Sequence, residues 1–428
     1  MPVDRDAVKE LLELGKEENI YAGYGLARNP FPPGQLPHVF DPSYVKNICI
    51  AVREKELSEI KEKFLEIAFG SADQPGRSTN LWVHGELGVG KTAIIYFVYN
   101  ILKEFKSDIV VPLYVVSPGN GIEDIYKATI DQLGKSPLER LGRKLIIKTI
   151  KEKSELIHGE DPSQVLDQLE RGSSLYDLVQ REVLDQRELF RKATGQLSEG
   201  RMYISDKMIG MILDMAINPE EALENIKNFP KRDRLDGIVT IFYLLNQAGY
   251  KMTIMFIDQM ESSWKIWGKQ KRNRFTMDVR ELVQRSIPYL SVLTTSNNEL
   301  TEDVEINYPT FLRPLPRDPG KMVVVKKMKK EQVRTLIEFY LNLGRVAKKG
   351  PELFPFTETT IDYIYDKRVG VTGDILTSCF GMLEHAAHRK YEIIDEKCAK
   401  EYFLLLEEKE EETSEVSETE GSDEDILR

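Results

Sequence analysis

The residues with the clearest chemistry are Gly85-Glu86-Leu87-Gly88-Val89-Gly90-Lys91-Thr92, which fill every fixed position of the pattern G-x-x-x-x-G-K-[ST]. Each residue type has a task. The glycines let backbone N–H groups close around phosphate oxygens, and a helix starting directly after them favours negative charge at its first turn. Lys91 is placed to reach the β- and γ-phosphates, the Thr92 hydroxyl to hold Mg2+, and Ala93 continues the same first turn. Leu81-Trp82-Val83-His84 predicts a buried strand feeding the loop, and apolar residues at helical spacing from Ala93 to Lys103 predict the helix leaving it. A segment of this kind binds a nucleoside triphosphate.

A metal held by Thr92 needs a carboxylate opposite. Met252-Thr253-Ile254-Met255-Phe256-Ile257-Asp258 is a continuous apolar run ending in Asp, as in a central parallel strand that delivers a carboxylate to the carboxyl edge of its sheet. Asp258 is thus the second candidate metal residue, usually acting through water. Gln259 follows it directly. A glutamine can orient water but cannot take its proton. The nearest further carboxylate, Glu261, is either the base that replaces it or a solvated residue at a helix start. Tyr289 to Thr294 predicts another strand, and Asn297 just beyond it either positions the attacking water or is a turn residue.

Strands separated by helical segments imply a parallel α/β sheet with right-handed crossovers. The expected organisation is a helix (Val8 to Lys16) and Pro-rich arm over 1–45 and a core over 46–328. A charged helical insertion interrupts that core at about 130–234, and four helices follow over 329–406. The tail, 407–428, is too polar to form a core and is expected to be disordered. It holds 11 acidic and 2 basic residues, so it carries 9 of the chain's net −11 charges and the remainder is almost neutral. That balance neither requires nor excludes nucleic acid. No apolar run is long enough for a membrane span and no export signal is read at Met1-Pro2-Val3-Asp4. With only three unpatterned cysteines, a reducing cytoplasm is the expected compartment.

In their order, the phosphate loop, Asp-terminated strand, polar strand and C-terminal helical lid resemble an AAA+ ATPase. The archaeal origin-recognition-type ATPases and related transposon ATPase regulators are most alike. Asn29-Pro30-Phe31 and Val52-Arg53-Glu54-Lys55-Glu56 resemble the segments flanking the adenine pocket in that group, and Phe356-Thr357 through Ile394-Asp395 resembles its lid. The resemblance implies ATP and Mg2+ as ligands and hydrolysis to ADP and phosphate. It also implies an arginine finger at Arg313 or Arg317, and with it a homo-oligomer, plain surface arginines being the alternative. Three departures stand out. Gln259 occupies the place of the usual glutamate, which makes hydrolysis slow or dependent on a partner. Gly373 occupies the place of the lid arginine, and no winged helix is read after the lid.

DNA is one expected partner, through the basic and aromatic residues of Trp264 to Phe275; a solvated cationic face is the alternative. A second basic stretch runs through Arg143, Lys144, Lys148, Lys151 and Lys153. Three functions compete: a DNA-associated ATPase serving replication, recombination or mobile-element or genome maintenance, a regulatory switch that binds a protein at the helical insertion without nucleic acid, and a nucleotide-binding scaffold that never hydrolyses.

Overall fold

A strand that is apolar on both faces needs cover on both faces, which parallel sheets acquire from their crossover helices. The computed structural model describes residues 19–33, 49–70, 76–106, 108–152, 164–165, 176–177, 179–181, 204–313 and 321–420, the last dozen by backbone alone. Its chain order is α1 (Glu54–Ile60, running on through a π-helical turn at Lys61–Leu65), β1 (Asn80–His84), α2 (Lys91–Phe105), β2 (Val110–Val116), α3 (Ile122–Leu133), α4 (Lys135–Glu152), α5 (Asp206–Asp214), α6 (Pro219–Lys227) and α7 (Arg234–Gln247). There follow β3 (Met252–Asp258), α8 (Met260–Ile266), α9 (Lys269–Arg285), β4 (Leu290–Ser296), α10 (Asn298–Asn307), α11 (Pro309–Leu312) and β5 (Lys321–Val324). The C-terminal helices are α12 (Lys330–Gly344), α13 (Glu358–Arg368), α14 (Thr372–Arg389) and α15 (Glu396–Glu420).

All strand pairings are parallel, in the order β2-β3-β4-β1-β5. The central strands β3 and β4 are buried at every position. In register, His84 lies beside Ser296, Ile257 beside Thr294 and Val116 beside Asp258. The carboxyl ends of β1, β3 and β4 therefore share one edge of the sheet, where ligands of open parallel sheets bind. Helix α2 meets its requirements locally: Ile94, Ile95, Val98 and Leu102 bury one stripe. The expected strand and helix positions on either side of the loop hold to within a few residues. Strand β5 has no counterpart in the sequence reading. Regular structure among the described residues between Ile122 and Gln247 is all helical.

The chain divides into two compact units. One comprises Glu54–Glu86 and Lys91–Val325; the other comprises residues up to Arg53, Leu87–Gly90, and everything from Lys326 on. The arm is not a separate appendage. Tyr24, Leu26, Phe31 and Val52 enter the same core as Val333, Ile337, Ile375, Met382 and Ile394 of the C-terminal helices. Pro30 packs so closely on Gly344 that a Cβ there would sit 2.8 Å from it. In the tail the described backbone is helical. Helix α15 runs through 407 to Glu420. Its first turns are anchored by buried Cys398, Ala399 and Phe403. Glu and Lys are good helix formers that extend an established helix without needing a core. Residues 421–428, the expected helix Val8 to Lys16 and Arg317 lie outside the described residues.

Candidate functional site

The loop Gly85–Thr92 joins β1 to α2, and its glycines are there for their backbones: Gly88 and Gly90 have φ of 77° and 98°, a region that side chains disfavour. Lys91 opens α2 as a buried residue, and its ammonium donates to the carbonyls of Gly85 (3.0 Å) and Glu86 (2.7 Å). Burial pulls the Lys91 pKa down, while the charges of Glu261 and Asp258 hold it up. In the other unit the middle of the loop has its own partners. Val89, buried, accepts at its carbonyl from the Arg53 guanidinium (2.5 Å) and the Thr372 hydroxyl (3.2 Å), and the Gly88 carbonyl accepts from the Gly373 N–H (2.9 Å). Arg53 is 3% exposed and also donates to the Lys326 carbonyl at 2.8 Å. Thus the position lacking the lid arginine meets the loop by a backbone amide, while a guanidinium from Arg53 reaches the same loop.

Asp258 is the most thoroughly bonded group of the site. The Thr92 hydroxyl donates to its Oδ1 at 3.3 Å, the Thr295 hydroxyl donates to the same oxygen, and the Tyr114 hydroxyl donates to Oδ2 at 2.7 Å. Burial and the Asp258 charge push the Tyr114 phenol far above its ordinary range. Two oxygens 3.3 Å apart, one hydroxyl and one carboxylate, are a donor set suited to one Mg2+ or its bound water, given ligand distances of about 2.1 Å. Among the described residues no cluster of three or more His, Cys, Asp or Glu forms an all-protein metal cage. Mg2+ held with phosphates does not require one.

After Asp258 the chain turns sharply. Gln259 takes the left-handed conformation (φ 54°, ψ 35°), and its N–H donates to Thr295 Oγ1 at 3.3 Å. Helix α8 starts at the next residue, so Glu261 falls in its first turn. Glu261 is only half-buried there. Its Oε2 is buried without a hydrogen-bond partner among the described residues, and burial raises the carboxyl pKa against the pull of its own backbone N–H and of Lys91. A desolvated carboxylate with a raised pKa near a lysine and a metal-type aspartate has the properties of a general base.

The other expected site residues are used differently. Asn297 is the N-cap of α10, its Oδ1 accepting from the Leu300 N–H at 2.8 Å. It shares with Glu261, Trp264, Arg272 and Asp303 the lining of a cavity of about 210 Å3. Arg313 is exposed at the end of α11. Asn29 Nδ2 donates to the Phe380 carbonyl (3.1 Å) and Glu384 (2.9 Å) on α14, beside Pro30 packed on Gly344. Tyr114 and Thr295, which grip Asp258, were missed by the sequence reading. The only local signal was the Thr-Thr-Ser ending of a largely apolar strand.

In the basic and aromatic segment the rings are taken up by packing, while Lys265, Lys269, Lys271 and Arg274 stay exposed. Trp264, Trp267 and Phe275 are 4%, 3% and 2% exposed and form core contacts with one another and with Tyr308 and Phe311. Both indole N–H groups are satisfied, by Asp303 (2.6 Å) and the Gly119 carbonyl (2.9 Å). Arg272 stacks on Trp264 and pairs with Asp303 at 3.2 Å. These rings are not free to stack on bases. In the second basic stretch, Lys144 covers Tyr250, Lys148 bonds Gln247 at 2.9 Å, and Arg143 pairs with Glu139 at 3.2 Å.

A loop with the G-x-x-x-x-G-K-[ST] pattern after the first strand of a parallel sheet, with an Asp closing its third strand, defines an α/β fold of the P-loop type. In the order of these parts and of the helices after them, the chain resembles the AAA+ ATPases. No protein-family model matches the sequence, and no curated protein is similar to it. Many solved structures are similar to parts of it, the following two among them. The ORC2 protein of Aeropyrum pernix, in its ADPNP–ADP complexes, aligns with a TM-score of 0.45 and 11% identity over 82% of this chain and 66% of that one. The Walker-type ATPase PABY2304 of Pyrococcus abyssi aligns with a TM-score of 0.41 and 11% identity over 87% and 76%. The chain therefore spans just under two thirds of the first structure. No helix of the described residues is long and apolar enough to cross a membrane.

Proposed function

We propose that this chain binds ATP with Mg2+ and hydrolyses it to ADP and phosphate, slowly or on activation by a partner. The observation that carries the reading is the gathering of Lys91, Thr92, Asp258 and Glu261 at one sheet edge, with Thr92 and Asp258 3.3 Å apart and Glu261 desolvated in the field of Lys91. Lys91 holds the β- and γ-phosphates, leaving the loop carbonyls it now bonds. Thr92 and Asp258 hold Mg2+, which when bound neutralises phosphate charge. Glu261 takes the proton of the attacking water, and Gln259 orients that water without the ability to deprotonate it. Calorimetry with ATP and Mg2+ tests binding, and phosphate release tests chemistry. Lys91→Ala should lose both, and Glu261→Gln should lose only the second.

The ATPase cycle serves DNA in the reading that the family resemblance supports. The groups available for phosphates are the exposed cations Lys265, Lys269, Lys271 and Arg274, without base stacking. Burial of Trp264, Trp267 and Phe275 favours the second reading, a switch that binds a protein partner. DNA binding that requires ATP and weakens with salt selects the first. No DNA binding in any nucleotide state, together with a co-purifying protein, selects the second. An oligomer that uses Arg313 as a finger would lose ATPase on mixing with Arg313→Ala subunits.

A further inference from the structure

We propose that Tyr114 is a positioning residue for the metal side of this site: its hydroxyl pins one oxygen of Asp258 so that the other faces Thr92. The inference rests on the Mg2+–ATP reading above. It starts from an asymmetry. Asp258 Oδ2 is taken by Tyr114 at 2.7 Å, whereas Oδ1 accepts from the hydroxyls of Thr295 and Thr92 on the loop side. A carboxylate held at Oδ2 cannot rotate, so the direction of Oδ1 is fixed before any ligand arrives.

Tyr114 is itself held twice. Strand β2 is an edge strand of the sheet, which leaves backbone groups on its outer side without a neighbouring strand. At Tyr114 the Gln132 side chain supplies that pairing. Its Oε1 accepts from the Tyr114 N–H at 2.7 Å and its Nε2 donates to the Tyr114 carbonyl at 2.6 Å. The ring is gripped by Tyr99 at 5.3 Å, Tyr96 at 5.6 Å and Phe256 at 6.3 Å. A phenylalanine would fill this place equally well; only the hydroxyl reaches Asp258. Partners that orient a metal ligand from behind commonly matter about ten- to a hundredfold in metal affinity.

The test uses the full chain, Tyr114→Phe, and Mn2+ as the probe, with free Mn2+ read by electron paramagnetic resonance in the presence of ATP. The expected result is Mn2+ affinity about tenfold weaker, with ATP binding in EDTA unchanged. Mn2+ affinity equal to the parent's overturns the proposal, and so does a loss of ATP binding in EDTA equal to the loss with metal. If the parent chain takes up neither ATP nor Mn2+ with ATP, the underlying reading fails instead. Should Tyr114→Phe not fold, Gln132→Ala loosens the same tyrosine without touching the carboxylate. A smaller loss of Mn2+ affinity in that variant supports the proposal, and none overturns it.

Discussion

Asp258 and Glu261 lie in one short segment, yet the fold treats them in opposite ways. Asp258 receives three hydroxyls, from Thr92, Tyr114 and Thr295, and has no freedom of orientation. Glu261 is desolvated but its buried oxygen has no partner. The difference follows from the left-handed turn at Gln259, which ends the strand in register with its neighbours and swings the next carboxylate away from their hydroxyls. It would suit the two kinds of work proposed for these residues. A metal residue must be fixed in advance, whereas a base must keep an oxygen free for water and a pKa high enough to accept a proton.

The largest effect that tests this contrast is on rate. Glu261→Gln should slow ATP hydrolysis by about 10²- to 10⁴-fold, the usual worth of a general base, with Mg2+–ATP binding preserved. Because burial raises the Glu261 pKa, the parent's rate should rise with pH as that carboxyl ionises and fall as acid protonates it. The variant should lose this limb of the profile. An unchanged rate would return Glu261 to a structural role.

Next comes the other side of the contrast. Thr295→Val removes a hydroxyl donating to a buried charge and should cost about 1.5–3 kcal/mol in urea unfolding, with Thr295→Ser restoring most of it. Asn297 sharpens the comparison at smaller scale. As a helix cap, Asn297→Ala should cost about 1 kcal/mol, while Asn297→Asp keeps both the cap and the ATPase rate. If Asn297→Asp folds normally but does not hydrolyse ATP, its amide works on the water. Smallest of all, joint replacement of Lys269, Lys271 and Arg274 by Ala should shift stability by no more than about 0.5 kcal/mol per site. A large fall in ATP-dependent DNA binding in the same variant would identify that face as the contact.

What could be read beforehand followed from local constraints. The loop, β3 and Asp258 were legible because their residue types are dictated by their own backbones and by burial on both faces of a sheet. The grip on Asp258 was not, since Tyr114 and Thr295 reach it across 144 and 37 positions of sequence. Trp264 to Phe275 misled for a physical reason. An indole buries readily once its N–H finds a partner, and an arginine can pack over the ring, so aromatic and basic residues together also describe a helix face in a core. Strand β5 is four residues long, too short for its alternation to register, and the acidic tail extends a helix anchored elsewhere. Arg53 was noticed as part of a motif, but its bond to the Val89 carbonyl depends on a chain reversal that no local pattern encodes.

Capture of a metal-bound triphosphate by Lys91 and its loop is what every other role proposed here depends on. Titration calorimetry of the purified chain with ATP in Mg2+, beside Lys91→Ala of equal folded content, tests it most directly. The parent should bind one ATP per chain and the variant should give no measurable heat of binding. Equal binding by both proteins, or none by the parent, would contradict it.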